Sequence, residues 1–274
     1  MKITTLDKIK LLGSMYSVLK LLPNFKEKVL TFFIPIETTR YFEFLYMIKF
    51  MRKNKLQGLN ILDIASPHMM AYYLSENNHV LKTNIDIGEK KFIKENKNLT
   101  FKIEDATKLS FPDNTFDVTY SISVIEHIYK EYGKAISEMI RVTKKDGYIY
   151  LTFPVSNEHK EEWVDWPIYS KQKSHEDKIF FQYRFCDEDV NSIIKSIKNS
   201  QVVSKDIFWE KKDGTYNKAM GAITKNLGNK YLNFIKNIFI NSYYGLTMFP
   251  SKSVTSFSRG KPFGNIHLVL KKLK

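Results

Sequence analysis

Three aspartates, Asp63, Asp86 and Asp105, each close a short β-rich run: ILDIA at 61–65, HVLKTNID at 79–86 and LTFKIED at 99–105. In an open parallel sheet the strands end at one rim, and ligands bind there where the strand order reverses. A carboxylate at the end of the second strand is placed to accept hydrogen bonds from both hydroxyls of a ribose. Asp105, followed by Ala106, is placed to accept from the exocyclic amine of an adenine. A lone strand-end aspartate is a common turn residue, so the weight lies in the joint spacing, with Asp86 standing 23 residues after Asp63. His127, in Ile125-Glu126-His127 just beyond a fourth β-rich run, adds a side chain that titrates near neutrality.

The elements that must position these residues alternate along the chain. Helical MMAYYLSE (69–76) follows the first run, a Lys/Glu-rich stretch follows the second, and a loop ending at Pro112-Asp113-Asn114 follows the third. FDVTYSIS (116–123) then leads to a helix carrying Ala135, Ile136, Met139 and Ile140, a Lys-Lys-Asp-Gly stop at 144–147, and YIYLTFP (148–154). Five strands with crossovers predict a parallel sheet covered on both faces. Beyond Pro154 the rhythm loosens into a polar, aromatic stretch, followed by a helix with Val190, Ile193, Ile194 and Ile197 at helical steps. VVSKDIFWE (202–210) reads as a sixth strand and NIHLVLKKL (265–273) as the last. The span 211–264 is too long for a hairpin loop, so an insertion with its own structure is expected, including a basic amphipathic helix through Leu232, Ile235, Phe239 and Tyr243.

Ahead of the sheet, Leu6, Ile9, Leu12, Tyr16, Leu19 and Leu22 recur at steps of three or four, and Tyr41, Phe44, Leu45, Ile48 and Met51 repeat the pattern within 39–53. The expected organisation is a basic helical extension over 1–58 and one α/β domain over 59–274, with 211–264 as a substrate cap. Its 274 residues, 43% hydrophobic, suffice for a substantial core. The one cysteine, Cys186, cannot pair within the chain, which points to a reducing, cytoplasmic setting. No apolar run is long enough to span a bilayer, and lysines break up any secretory apolar stretch. Net charge is +14, carried by the ends: residues 1–60 hold 11 Lys+Arg against 4 Asp+Glu, and 210–274 hold 12 against 2. Such flanks fit an anionic membrane surface, a nucleic acid or a phosphorylated substrate, or simply solubility.

Residues 59–154 resemble the core of the class I S-adenosylmethionine-dependent methyltransferases of the broad small-molecule type. FKIEDATKLSFPDNTFDVTYSISVIEHI and AISEMIRVTKKDGYIYLTFPV are similar to that family's third- to fifth-strand segments. The resemblance implies a Rossmann-like, seven-stranded, mostly parallel sheet with an antiparallel last strand, and S-adenosylmethionine as cofactor. It further implies that the first-strand loop with Asp63, Ala65, Ser66 and Pro67 surrounds the methionine end. Asp86 and Ile87 would hold the ribose, Asp105 and Ala106 would meet adenine, and Ser121 and Ile122 would line the cleft. The loop lacks the family's glycines, but this cofactor has no pyrophosphate demanding close backbone approach. Ser66 is expected to cap the next helix, with Pro67 in its first position. The missing glycines also count against a dinucleotide enzyme.

Methyl transfer from a sulfonium needs chiefly alignment, with a base when the nucleophile is a hydroxyl. His127 is the candidate base, its alternative a structural histidine. Arg40 and Tyr41 are candidates to close over the cofactor's carboxylate. Trp163, Trp166 and Arg184, with His159 and His175 nearby, are candidates for the acceptor site. A Glu-x-x-Glu-His metal site is not expected, since Ser123 stands at its first position. The leading expectation is O-methylation of a small metabolite, sugar or lipid-linked glycan, with peripheral contact to anionic membrane. An RNA methyltransferase and a non-catalytic methyltransferase-like scaffold stay open.

Overall fold

The computed structural model describes residues 2–165, 172–258 and 260–273. Three helices come first. α1 (Thr5–Tyr16) starts at a capping box in which Asp7 N–H donates to Thr4 Oγ1 and Thr4 N–H to Asp7 Oδ2. A 3-10 turn at Ser17–Leu21 ends it earlier than the apolar spacing predicts, and α2 (Phe25–Phe33) begins after the Asn24 cap. α3 (Arg40–Lys53) is buried nearly all round, because it lies between the sheet and the outer helices.

The α/β part follows as β1 (Asn60–Ile64), α4 (His68–Ser75), β2 (His79–Asn84), β3 (Leu99–Ile103), β4 (Phe116–Ile122), α5 (Tyr132–Val142) and β5 (Thr143–Val155). After these come β6 (Lys160–Val164), β7 (Ser174–His175), β8 (Lys178–Arg184), α6 (Asp187–Ser196), β9 (Ser200–Trp209), α7 (Thr215–Thr224), α8 (Lys230–Thr247) and β10 (Gly264–Lys272). Seven strands form one sheet in the order β3-β2-β1-β4-β5-β10-β9, and β10 alone runs antiparallel to its neighbours β5 and β9. The order reverses between β1 and β4, which puts the loops after these two strands side by side.

One face of the sheet packs against α1, α3, α4 and α7, so the first fifty residues share a core with Ile61, Val80 and Tyr150. The other face packs against α5, α6 and a second sheet of three antiparallel strands, β6-β8-β7. That small sheet is the element the loosened rhythm after Pro154 concealed. The stop expected at 144–147 is instead a kink inside β5. There the register against β4 shifts, Asp146 takes φ +62°, and a Cβ on Gly147 would meet Asp117 O at 2.7 Å. The 211–264 insertion supplies α7 and α8.

Candidate functional site

The loop after β1 is built on a buried ion pair. Asp63 and Lys82 stand opposite each other in the β1–β2 register, and both are fully buried. Asp63 accepts from Ser66 N–H at 2.8 Å and from the Tyr120 hydroxyl at 2.8 Å, and Lys82 donates to the Ser66 carbonyl. Burial raises the Asp63 pKa, with Lys82 and Tyr120 pulling against the rise. Asp63 therefore holds the loop from beneath, its side chain enclosed by Ser66, Lys82 and Tyr120. Ser66 does not cap α4. Its hydroxyl accepts from Ile122 N–H at 2.9 Å, fastening the β1 loop to the end of β4, while Pro67 takes the N-cap position. Ala65 makes the turn a glycine would ordinarily make, with φ +50°.

Along the rim, Asp86 follows β2 and accepts from Gly88 N–H at 2.8 Å, which orients its carboxylate. Ile87 beside it is 59% exposed, an apolar surface at the mouth of the site. Asp105 is exposed after β3 and accepts from the backbone and hydroxyl of Thr107. Ala106 next to it is half-buried. Ser121 and Ile122 are fully buried in β4, and Ser123 after them is half-buried, with φ +49°.

Above β4 and β5 lies a polar cluster anchored by the first turn of α3. Glu43 accepts from Ser123 Oγ at 2.6 Å, Thr152 Oγ1 at 2.5 Å and Asn265 Nδ2 at 3.3 Å, and pairs with Arg40 at 2.6 Å. Burial alone would raise the Glu43 pKa, but Arg40 and the hydroxyl donors outweigh it and the carboxylate stays ionised. Glu126 is buried as well. Burial, reinforced by Glu43, pushes it up to about 8, so it is mostly protonated at neutral pH. Arg40 Nε and Glu126 Oε2 are buried with no hydrogen-bond partner among the described residues.

His127 Nδ1 lies 2.6 Å from the Phe181 carbonyl, which can only accept, so the ring is protonated at Nδ1 and carries its lone pair on Nε2. Nε2 stands 4.0 Å from Glu126 Oε1. Burial lowers the His127 pKa to about 4, which keeps the ring neutral.

The remaining expected residues scatter. Tyr41 is in the core, its ring against α8, where a Cβ on Gly245 would meet it at 2.5 Å; it does not close over the rim. Arg184 pairs with Glu162 and lies over the rings of Tyr216 and Phe263. Trp163 packs edge-on against Tyr129 and Phe180, and His175 packs on Trp163. His159 pairs with Asp189. Trp166 lies outside the described residues. Sequence reasoning missed Lys82, Glu43 and Glu126 as buried charges. Two of them left a trace: Lys82 lies in phase with buried Val80, and Glu43 is the one acid within an aromatic helix.

This strand order and rim define the Rossmann-like fold of the class I S-adenosylmethionine-dependent methyltransferases. Residues 64–151 match the family model described as a methyltransferase domain. Coclaurine N-methyltransferase, in a crystal structure bound to N-methylheliamine and SAH, is 15% identical; the match covers 84% of this chain and 72% of that one, with a TM-score of 0.54. A protein from Galdieria sulphuraria assigned as a sarcosine dimethylglycine methyltransferase is 14% identical, with 86% of each chain covered and a TM-score of 0.54. At such identities the likeness speaks to the fold. No curated protein matches the chain.

The residues at the rim suit the cofactor this fold implies. Two carboxylates and an exposed isoleucine match a nucleoside's hydroxyls, amine and flat ring, and the partnerless Arg40 Nε matches a carboxylate. Ala65 shows that the loop makes its turn without glycine.

Proposed function

We propose that the chain is an S-adenosylmethionine-dependent methyltransferase acting on a hydroxyl of a small metabolite, a sugar or a lipid-linked glycan. The observation that carries this is the cluster of Arg40, Glu43, Glu126 and Ser123, which stands beyond the end of β4 and above β5 and holds, among the described residues, polar atoms without partners at Arg40 Nε and Glu126 Oε2. In this reading Asp86 and Ile87 hold the ribose, Asp105 and Ala106 the adenine, and Arg40 with the 65–67 backbone the amino-acid end. The bound cofactor supplies an electrophilic methyl group. His127 Nε2, held in one tautomer by Phe181, is the base that takes the acceptor's proton. Arg184, Trp163 and Trp166 belong to the acceptor side, with 211–264 as its cap. The basic ends favour an acceptor presented at an anionic membrane surface.

Calorimetric titration with S-adenosylmethionine and S-adenosylhomocysteine, with Asp86→Ala as control, tests the reading. Binding that the control loses supports it; a folded chain that binds neither ligand is a scaffold, and the roles above fall.

A further inference from the structure

We infer that α2 and α8, joined by Tyr16 of α1, form a docking face for an anionic lipid bilayer. This deepens the membrane reading above and rests on it for the acceptor's whereabouts. Tyr231, Leu232, Ile235, Phe239 and Tyr243 are all exposed, Phe239 by 71%; Tyr231, Ile235, Phe239 and Tyr243 recur at steps of four along one side of α8, with Leu232 beside them. The opposite side of the helix is buried through Asn241 and Gly245. On α2, Phe25 is 81% exposed, and Phe32 and Phe33 are exposed with it. Ring contacts run from Tyr16 to Phe32 (5.5 Å), from Phe32 to Phe33 (5.2 Å) and from Phe33 to the half-buried Phe234 of α8 (5.6 Å), so α2 packs against the inner side of α8 and its exposed rings lie beside the exposed stripe. Scattered exposed apolar residues are ordinary, but a joined surface of this kind marks an interaction site.

The charge around the face selects the occupant. Lys20 and Lys28 line a shallow pocket with Phe32 and Phe33, Lys26 follows Phe25 with Glu27 as the one acid of 20–33, and on α8 Lys230 lies over the Tyr231 ring while Lys236 is held by the carbonyls of Ile223 and Lys225. No Asp or Glu occurs after Asp213. A second copy would bring these lysines against each other, whereas anionic headgroups complement them while the aromatic and aliphatic side chains enter the acyl boundary. Among the described residues no helix is long and apolar enough to cross a membrane, so the contact is a surface one. The face is also near the site. Thr38 donates its backbone N–H and hydroxyl to Asn241 Oδ1, both at 3.2 Å, so the buried side of α8 grips the segment that leads into Arg40.

Flotation of the full chain with phosphatidylcholine vesicles, with and without phosphatidylglycerol, tests this. The parent is expected to float with the anionic vesicles and less so at high salt. Leu232→Ser/Phe239→Ser is expected to bind roughly tenfold or more weakly, each lost side chain removing apolar area from the contact. Both positions are exposed, so its melting temperature should match the parent's. Equal flotation of parent and variant, or no preference for phosphatidylglycerol, overturns the inference. So does poly(U) binding without flotation, or a dimer that the variant disperses without flotation. The assay contains no S-adenosylmethionine, so its failure is distinct from a failure of cofactor binding, which calorimetry reads separately.

Discussion

The Lys82 ammonium lies 3.3 Å from Asp63 Oδ2, and neither side chain reaches solvent. A buried pair of this kind is costly to break from one side, because the surviving charge has no water to turn to. Lys82→Met is expected to lower stability by about 3–5 kcal/mol. Asp63→Asn/Lys82→Met should recover most of that loss. Urea unfolding of the three chains measures it, and a double variant as weak as the single would show that packing around Lys82, not charge, is what matters.

Asp86→Ala should weaken S-adenosylhomocysteine binding roughly 10- to 100-fold, the effect of losing hydrogen bonds to a charged acceptor. Ala65→Gly should leave it nearly unchanged, because a glycine adopts φ +50° without strain. Calorimetry on both variants separates a carboxylate that touches the ligand from a backbone turn that shapes its cradle.

Stability should depend on pH in two opposed ways. Glu126, raised by burial from its ordinary 4.5 to about 8, contributes stability that is fully present below about 4.5 and lost as pH rises through about 8. His127 and His267, lowered by burial from 6.5 to about 4, contribute stability present above about 6.5 and lost as pH falls toward about 4. For these groups the balance peaks near pH 6.5. Glu126→Gln should remove the alkaline decline and leave the acid one. Thermal melts over a pH series read both limbs.

Gly245→Ala drives a Cβ into the Tyr41 ring at 2.5 Å and should cost about 1–3 kcal/mol through overpacking. Adding Tyr41→Leu should relieve the clash and recover part of the loss. A denaturation series on the single and double variants checks it.

What could be read from residue order was mostly local. The strands and their terminal aspartates are announced by β-branched runs closed by turn residues, and the helices by apolar residues at steps of three and four. The β6-β8-β7 sheet escaped because its strands mix charged and aromatic residues and one is two residues long. The polar cluster escaped for a different reason. Glu43 meets Thr152 and Asn265, partners 109 and 222 residues away, so no window of sequence contains the interaction. Tyr41 sat beside Arg40 in the reading of the rim, yet one helical step of about 100° turns it into the core.

β10 is inserted between β5 and β9, although it follows both in the chain. During synthesis the outer edge of β5 therefore stays open, and Glu43 lacks its Asn265 partner, until residues 264–272 have left the ribosome. A nascent chain in that interval exposes one open edge of β5 along Tyr148–Val155, a nearly continuous apolar run. β10 thus closes a gap between two strands made before it, and until it does the apolar edge of β5 is open to pairing with another chain.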